Sequence, residues 1–459
     1  MIVTFTVSNF RSFDGEETFS MVASKRFNGS HDDHTAPIPG SDERVLRVGA
    51  IYGANGAGKS NLIKAIEFFK SVAIPPPAEG PAGPARVPFL FGDSATKPSG
   101  FDLQFVAGGR TFRLGFTVGD DGVADEWLSE INGENEEPIY TRNTDAQGRV
   151  LVEAGPSVDS ASKLRVLASL GGQPQQSFLA TIYKTLRRED WEPPLDVILQ
   201  WLEFGLAVVY PDSRPVSLGY FLTHRPGLRE LAGRLLRASA TGAGDIVSAQ
   251  QEIGETELPF FAPPDTIARA KERMREGETR IVRASDGRDL LIKRNGDFKY
   301  YLTSLQAVHG GGERTVHLPV KDESDGTQRL LNLTPVAYQL QAGATCVVDE
   351  IDRSMHPVLV REIVKMAVAA ASAGGGQIVF TTHQSGLLDL TLLRRDEVWF
   401  AEKEESGATK LYSLSEFKAR ANRDPTKVRD IEQDYLDGRF GALPFANDLE
   451  SAITEGSQQ

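Results

Sequence analysis

Residues Gly53-Ala54-Asn55-Gly56-Ala57-Gly58-Lys59-Ser60 satisfy the pattern G-x-x-x-x-G-K-[ST] at each fixed position. Glycines at these points let a backbone wrap around a phosphate with its N–H groups pointing inward. Lys59 is placed to reach the β- and γ-phosphates, and Ser60 to ligate Mg²⁺. The preceding run Val45–Tyr52 reads as a buried strand, and Asn61–Phe69 as a helix with one apolar face. Asn61 opens that helix, whose N-terminus adds a positive dipole end. Strand, glycine loop and helix together predict a nucleotide triphosphate site.

Three further stretches supply the groups that such a site requires. Cys346-Val347-Val348-Asp349-Glu350 is an apolar run that ends in two carboxylates. A buried parallel strand delivers acids from its C-terminal end. Asp349 suits Mg²⁺ opposite Ser60, and Glu350 suits polarisation of an attacking water. Gln377-Ile378-Val379-Phe380-Thr381-Thr382-His383 is another strand, and it brings His383 to the same edge as a sensor of the γ-phosphate. About twenty residues before Asp349, Ser324, Gly326 and Thr327 precede an apolar-periodic helix, a second phosphate-binding helix start. One ATP already has its loop, so a second cradle predicts a dimer with ATP sandwiched between two copies.

These groups need a sheet to hold them, and the rest of the chain reads accordingly. The chain has 459 residues, 40% hydrophobic and 25% charged, as an ordinary globular protein of two or three domains has. Residues 1–20 alternate like a hairpin turning near Asp14-Gly15, and 24–44 read as a surface loop. Pro75 to Pro88 is a stiff Pro/Gly/Ala-rich connection. Residues 100–130 read as antiparallel strands, 162–205 and 226–252 as helical, and 298–415 as alternating strand and helix. The single cysteine, Cys346, fits a reducing cytoplasm. No signal peptide or membrane span is read, and cytoplasmic localisation is expected. A net charge of −13 argues against a surface that is one large DNA groove. Residues 267–299 carry ten basic against six acidic side chains, a solvated helix and hairpin or a local nucleic-acid patch.

The set resembles the ABC ATPase class. Walker A is Gly53–Ser60, a signature-like stretch is Glu323–Thr327, Walker B is Val347–Glu350, a D-loop with Asp352 is Ile351–Pro357, and the switch histidine is His383. Asn9-Phe10-Arg11-Ser12-Phe13 is similar to the RecF/SMC-like branch, whose head is built from both ends of the chain. Glu323–Arg329, Asp349–Pro357, Arg394–Phe400, Leu411–Leu414 and Tyr435–Pro444 resemble the abortive-infection, AAA-annotated ATPases of bacteria.

The resemblance implies an α/β ABC-type P-loop head with an antiparallel β lobe and a mainly helical insert. It divides the chain at 1–160, 161–297, 298–420 and 421–459. It implies ATP and Mg²⁺ as ligands, Arg11 against ribose or adenine, and a slow ATPase acting as a switch in anti-phage defence. A separately encoded, nuclease-like effector and a phage-derived trigger are the implied partners, and no Toprim nuclease is expected in this chain. Gln173 is the candidate for the Q-loop and a further Mg²⁺ contact. Ser324-Asp325-Gly326-Thr327 departs from the transporter-type Ser-Gly-Gly-Gln. The alternative is a RecF-like DNA-binding repair ATPase. A transporter subunit fits poorly because of the large insert and the signature.

Overall fold

The computed structural model describes residues 1–75, 85–213, 218–239, 241–272, 274–311, 314–417 and 428–442. Most of the proline-rich connection and the end of the C-terminal tail lie outside these residues. The chain divides into two compact units. The first comprises Met1–Tyr210, Gln339–Asp352 and Arg361–Gln459; the second comprises Pro211–Tyr338 and Arg353–Val360.

The first unit holds two large sheets and one two-stranded sheet. A seven-stranded antiparallel sheet runs, edge to edge, Val150–Ala154, Asn135–Thr144, Gly122–Asn132, Arg110–Gly119, Ser99–Ala107, Ile2–Ser8 and Glu17–Ser20. Its strands obey the period of two: Phe101, Leu103 and Phe105 point inward, and so do Phe112, Leu114 and Phe116. The expected N-terminal hairpin and the strands at 100–130 are therefore present, and two further strands extend them.

The second sheet has six strands in the order Leu206–Val209, Thr345–Val348, Gln377–Thr381, Val48–Tyr52, Val398–Lys403 and Thr409–Ser413. The first five are parallel and the last is antiparallel. The helix Lys59–Ala73 buries Leu62, Ile63, Ile66 and Phe69 in one core shared with both sheets.

The boundary expected at 160/161 falls instead at 210/211. The helices Lys163–Leu170, Phe178–Thr185 and Leu195–Gln200 stay with the first unit because Leu164, Phe178, Ile182, Ile198 and Leu199 are buried in its core. The boundary expected at 297/298 moves to 338/339. The second unit is also less helical than expected. It carries a five-stranded antiparallel sheet, in which Ala243–Ile253 pairs with Asp297–Gly311, then Asp289–Asn295 and Thr279–Arg283, with Arg314–Pro319 on the other register. Residues 226–252 split into the helix Pro226–Ala238 and that first strand. Long-range pairing, which local composition does not report, decides the strand. The hairpin expected at Asn295-Gly296 is present, with Asn295 opposite Asp297.

Residues 24–44 are not only a surface loop. His34, Thr35, Ala36 and Ile38 are buried, and Thr35–Pro37 pairs with Arg44–Leu46. The stretch is held by Arg394, which is 1% exposed in its side chain. Its guanidinium donates to the carbonyls of Ser30 at 2.7 Å and Phe27 at 3.2 Å and pairs with Asp396 at 2.9 Å. Asp396 in turn accepts from the Ser24 N–H at 2.8 Å. Burial pushes the Glu397 carboxyl up in pKa, and its hydrogen bond with His34 at 3.0 Å pulls it back. Removing one member of a buried ionic set strands the other, at about 3–5 kcal/mol. Arg394→Ala is expected to lose that much stability by urea denaturation; a loss below about 1 kcal/mol would show that the 24–34 segment is held by something else.

Candidate nucleotide-binding site

Register brings the predicted groups together in the first unit. Thr381 lies opposite Ile51, and Val348 opposite Phe380, so three parallel strands end at one level. The glycine loop leaves the strand Val48–Tyr52 at that edge, where open α/β sheets bind ligands. Gly58 has φ +109°, and a Cβ there would stand 2.1 Å from Thr409 Oγ1 and 2.9 Å from Ser12 Oγ. Gly53 has φ +152°, and its Cβ would meet the Ala401 carbonyl oxygen at 2.3 Å. Only glycine fits either place. Ala54, Asn55, Gly56 and Ala57 complete the turn, and the helix starts at Lys59. Its first N–H groups have no partner within the helix.

The polar groups form one connected cluster. Ser60 Oγ donates to Asp349 Oδ1 at 3.1 Å. Thr381 Oγ1 donates to the same oxygen at 2.7 Å and accepts from the Glu350 N–H at 2.7 Å. Asp349 is buried, at 4% exposure. Glu350 turns the chain off the strand at φ +44°, a left-handed conformation uncommon for a residue with a side chain. Lys59 Nζ donates to the carbonyls of Gly53 at 2.7 Å and Ala54 at 2.9 Å, and lies 3.5 Å from His383 Nδ1. Burial pushes the Lys59 ammonium down to about 8, against the pull of Asp349, Glu350 and Asp352. Partial burial and the Lys59 charge likewise lower the His383 imidazole. Asp352 accepts from the His383 N–H at 3.2 Å through Oδ2, while its Oδ1 is buried without a hydrogen bond among the described residues.

The early motif has a separate task for each residue. Asn9, at φ +48°, donates to the carbonyls of Ser94 and Lys97. Phe10 and Phe13 exchange backbone hydrogen bonds and are buried. The turn between them carries Arg11 and Ser12, both half-buried. Ser12 Oγ accepts from Asn61 Nδ2 at 2.8 Å and from Thr409 Oγ1 at 2.7 Å, and so braces the loop and its helix. Arg11 lines a cavity of about 730 Å³ with Lys64, Glu67 and Tyr210, and its Nε is buried without a hydrogen bond among the described residues.

Gln173 is not brought to this cluster. It lies in the turn before the helix Phe178–Thr185, and its carbonyl accepts from Arg142 of the β lobe at 3.3 Å. The residue delivered beside Asp349 is Tyr210. Its strand runs parallel to Thr345–Val348 with Val209 opposite Val348, and Tyr210 follows directly. The Tyr210 hydroxyl donates to Glu67 at 2.6 Å. Sequence reasoning also missed Ser12, Thr381 and Thr409. Thr381 was within reach, as a hydroxyl two residues before His383; Thr409 gave no signal, because its partners are hundreds of residues away.

The signature lies in the second unit. Ser324 Oγ accepts from the Thr327 N–H at 3.3 Å at the start of the helix Asp325–Gln341, and so caps it. Thr327 is buried, with its hydroxyl 2.9 Å from Ser324 Oγ. A Cβ on Gly326 would meet the Ser354 carbonyl oxygen at 2.8 Å. Glu323 is held by His309 at 2.6 Å.

A P-loop nucleotide-binding fold of the ABC type is thus defined: a parallel core with an antiparallel lobe, and acids and a histidine at the strand ends. Residues 49–389 match the family described as "AAA domain, putative AbiEii toxin, Type IV TA system". The chain belongs to that family. No curated protein sequence matches it. Among solved structures it is similar to an SMC head bound to the C-terminal winged-helix domain of ScpA, at 13% identity and TM-score 0.44, covering 90% of this chain and 97% of that one. It is similar to the SMC head domain of Thermotoga maritima, at 14% identity and TM-score 0.38, covering 90% and 98%. It is also similar to the Pyrococcus furiosus SMC head with an extended coiled coil bound to the C-terminal domain of ScpA, at 12% identity and TM-score 0.39, covering 96% and 99%. Among the described residues no helix is long and apolar enough to cross a membrane.

Two substitutions probe this geometry. Gly58→Ala is expected to weaken ATP binding by at least about tenfold (~1.4 kcal/mol), read with a fluorescent ATP analogue. Wild-type affinity would mean that Thr409 and Ser12 yield to the added carbon. Thr381→Val removes the hydroxyl that accepts from the Glu350 N–H and donates to Asp349. It is expected to raise the Mg²⁺ concentration for half-maximal turnover about tenfold, and an unchanged Mg²⁺ titration would rule out a role for this hydroxyl.

Proposed function

We propose that this protein is an ATP-hydrolysing, nucleotide-gated dimeric switch that controls a separately encoded effector in bacterial anti-phage defence. The observation that carries the reading is the cluster of Ser60, Asp349, Thr381 and Glu350 beside Lys59 and His383 in one unit. ATP phosphates would take the loop N–H groups and draw Lys59 from the Gly53 and Ala54 carbonyls. Ser60 and Asp349 fit Mg²⁺, since both are hard oxygen donors and they already share a contact. That ion supplies neutralisation of phosphate charge when bound. Glu350 would accept a proton from the attacking water, and His383 would donate to the γ-phosphate and sense its loss. Ser324 and Gly326 of a second copy would clamp the nucleotide, with Thr327 supporting Ser324 and Asp352 at the subunit junction. Arg11 would contact the ribose or adenine.

Hydrolysis would release the clamp and change what the second unit presents to its partner. The family's description, which speaks of a toxin and a type IV toxin–antitoxin system, supports an effector partner. A nuclease-like effector and a phage-derived trigger complete the proposal.

A RecF-like DNA-binding reading has one observation in its favour. Lys293 and Lys299 stand directly opposite on paired strands, a placement that costs stability. Against it, Lys271, Arg280, Arg283 and Arg288 of the same basic region pair with Glu255, Glu278, Asp289 and Asp286. Four of the ten basic side chains in this stretch are thus tied to carboxylates. Steeply salt-dependent duplex binding that stimulates ATP turnover would favour DNA over an effector.

Glu350→Gln tests the main reading. The variant is expected to bind ATP like the parent, to hydrolyse it at least about 100-fold more slowly, and to accumulate as a dimer with ATP by light scattering. Unchanged turnover would remove Glu350 as the base. A monomer at saturating ATP would remove the sandwich.

A further inference from the structure

The second unit contains a cavity of about 350 Å³ that the nucleotide site does not use. Its apolar lining comes from Leu218, Leu305 and Val320. Thr303 adds a hydroxyl that is buried, at 3% exposure, and has no hydrogen-bond partner among the described residues. A buried hydroxyl left unpaired is costly and favours a ligand that pairs it. The helix Asp325–Gln341 contributes Asn332, half-buried, whose carboxamide makes no hydrogen bond among the described residues. Three cations and two carboxylates complete the lining, with Arg283 paired to Asp289. Arg288 is paired with Asp286, and Lys321 is exposed and in no ion pair among the described residues.

We propose that this cavity binds a ligand of nucleoside-monophosphate size: a planar heterocycle with an amide-like edge, joined to a phosphate. The volume falls within the roughly 300–1,000 Å³ of small-ligand pockets, which are mostly apolar with a few placed polar groups. An asparagine carboxamide pairs in two places with a heterocycle that offers a donor beside an acceptor. The apolar lining covers the ring, and Thr303 takes a ring or sugar oxygen. Asp286 and Asp289 are already engaged by Arg288 and Arg283, so the unspent charge is the Lys321 ammonium, which selects an anion.

The cavity is joined to the signature. Gln328 lines it and donates through Nε2 to the carbonyls of Lys321 at 3.2 Å and Glu323 at 2.8 Å. Ser324 is the next residue. A ligand that moves Lys321 or Gln328 therefore moves the backbone that presents Ser324. This regulatory part rests on the proposed ATPase function; the binding part does not.

The test uses the full chain carrying Lys59→Ala, which silences the phosphate loop. AMP, GMP, CMP and UMP are titrated separately by calorimetry, with adenosine and inorganic phosphate as further arms. At least one monophosphate is expected to saturate one site per chain below about 1 mM. Asn332→Leu and Lys321→Ala, each added to the same protein, are expected to weaken it at least about tenfold. Lys321 is exposed, so its variant reports even if Asn332→Leu misfolds. No saturation by any of the four, unchanged affinity in Lys321→Ala, or equal affinity for phosphate alone would overturn the site. In the chain with Lys59 intact, the bound monophosphate is expected to change ATP turnover at least about threefold, and Lys321→Ala to abolish that change. Ligand binding with unchanged turnover would overturn the coupling. A chain without turnover would refute the ATPase reading and leave the binding result standing.

Discussion

One buried carboxamide joins the two ends of the first unit. Gln377 is fully buried, and its Oε1 accepts from the Ile2 N–H at 2.7 Å. Its Nε2 donates to the carbonyls of Ile2 and Leu46, both at 2.8 Å. The strand that ends in Thr381 is thus fixed to the first strand of the β lobe and to the entry of the glycine-loop strand. An apolar residue of similar size would leave three buried backbone groups unpaired. The chemistry depends on this junction because Asp349 and Glu350 are positioned through Thr381, four residues on. A slip of one residue would turn Thr381 to the other face of the sheet.

Around that junction the site is preorganised in some parts and self-satisfied in others. The glycine loop is fixed by bulk: Thr409 and Ser12 fill the space beside Gly58, and the Ala401 carbonyl fills it beside Gly53. Lys59, in contrast, is held by the loop's own carbonyls in a poorly solvated place, and its ammonium is depressed to about 8. Phosphate oxygens offer that ammonium full charges in place of carbonyl dipoles, and charge-assisted hydrogen bonds are roughly twice as strong as neutral ones. The left-handed Glu350 and the unpaired Asp352 Oδ1 are likewise kept in conditions that an isolated peptide would avoid.

The parts legible in the sequence were those carried by local pattern. A glycine loop, apolar strands ending in acids or histidine, and period-two alternation at 100–119 all state their own conformation. Residues whose role depends on distant partners were illegible. Thr409 reaches Ser12 across 397 positions, and Arg394 reaches Ser30 across 364. The Gln173 carbonyl accepts from Arg142 of the β lobe, a partner that its neighbours in sequence do not announce. Tyr210 holds the place beside Asp349 because of a parallel register that no local composition announces. The boundary at 160 failed for a related reason, since amphipathic helices at 163–200 could have closed either unit, and only the shared core decides.

The chain passes from one unit to the other after Tyr210 and after Asp352, among other points. Both residues belong to the nucleotide site by their contacts: Tyr210 through its place next to Asp349, Asp352 through the His383 N–H. Each is followed at once by a residue of the second unit, Pro211 and Arg353, and within that unit Arg353 pairs with Asp212 at 3.5 Å. Tyr210 and Asp352 are therefore the last residues of the first unit at two of the crossings. Proline at 211 restricts the backbone of Tyr210 to extended conformations and stiffens one of these links. The left-handed turn at Glu350 lies two residues before the second of these crossings, on the same short stretch as the acids.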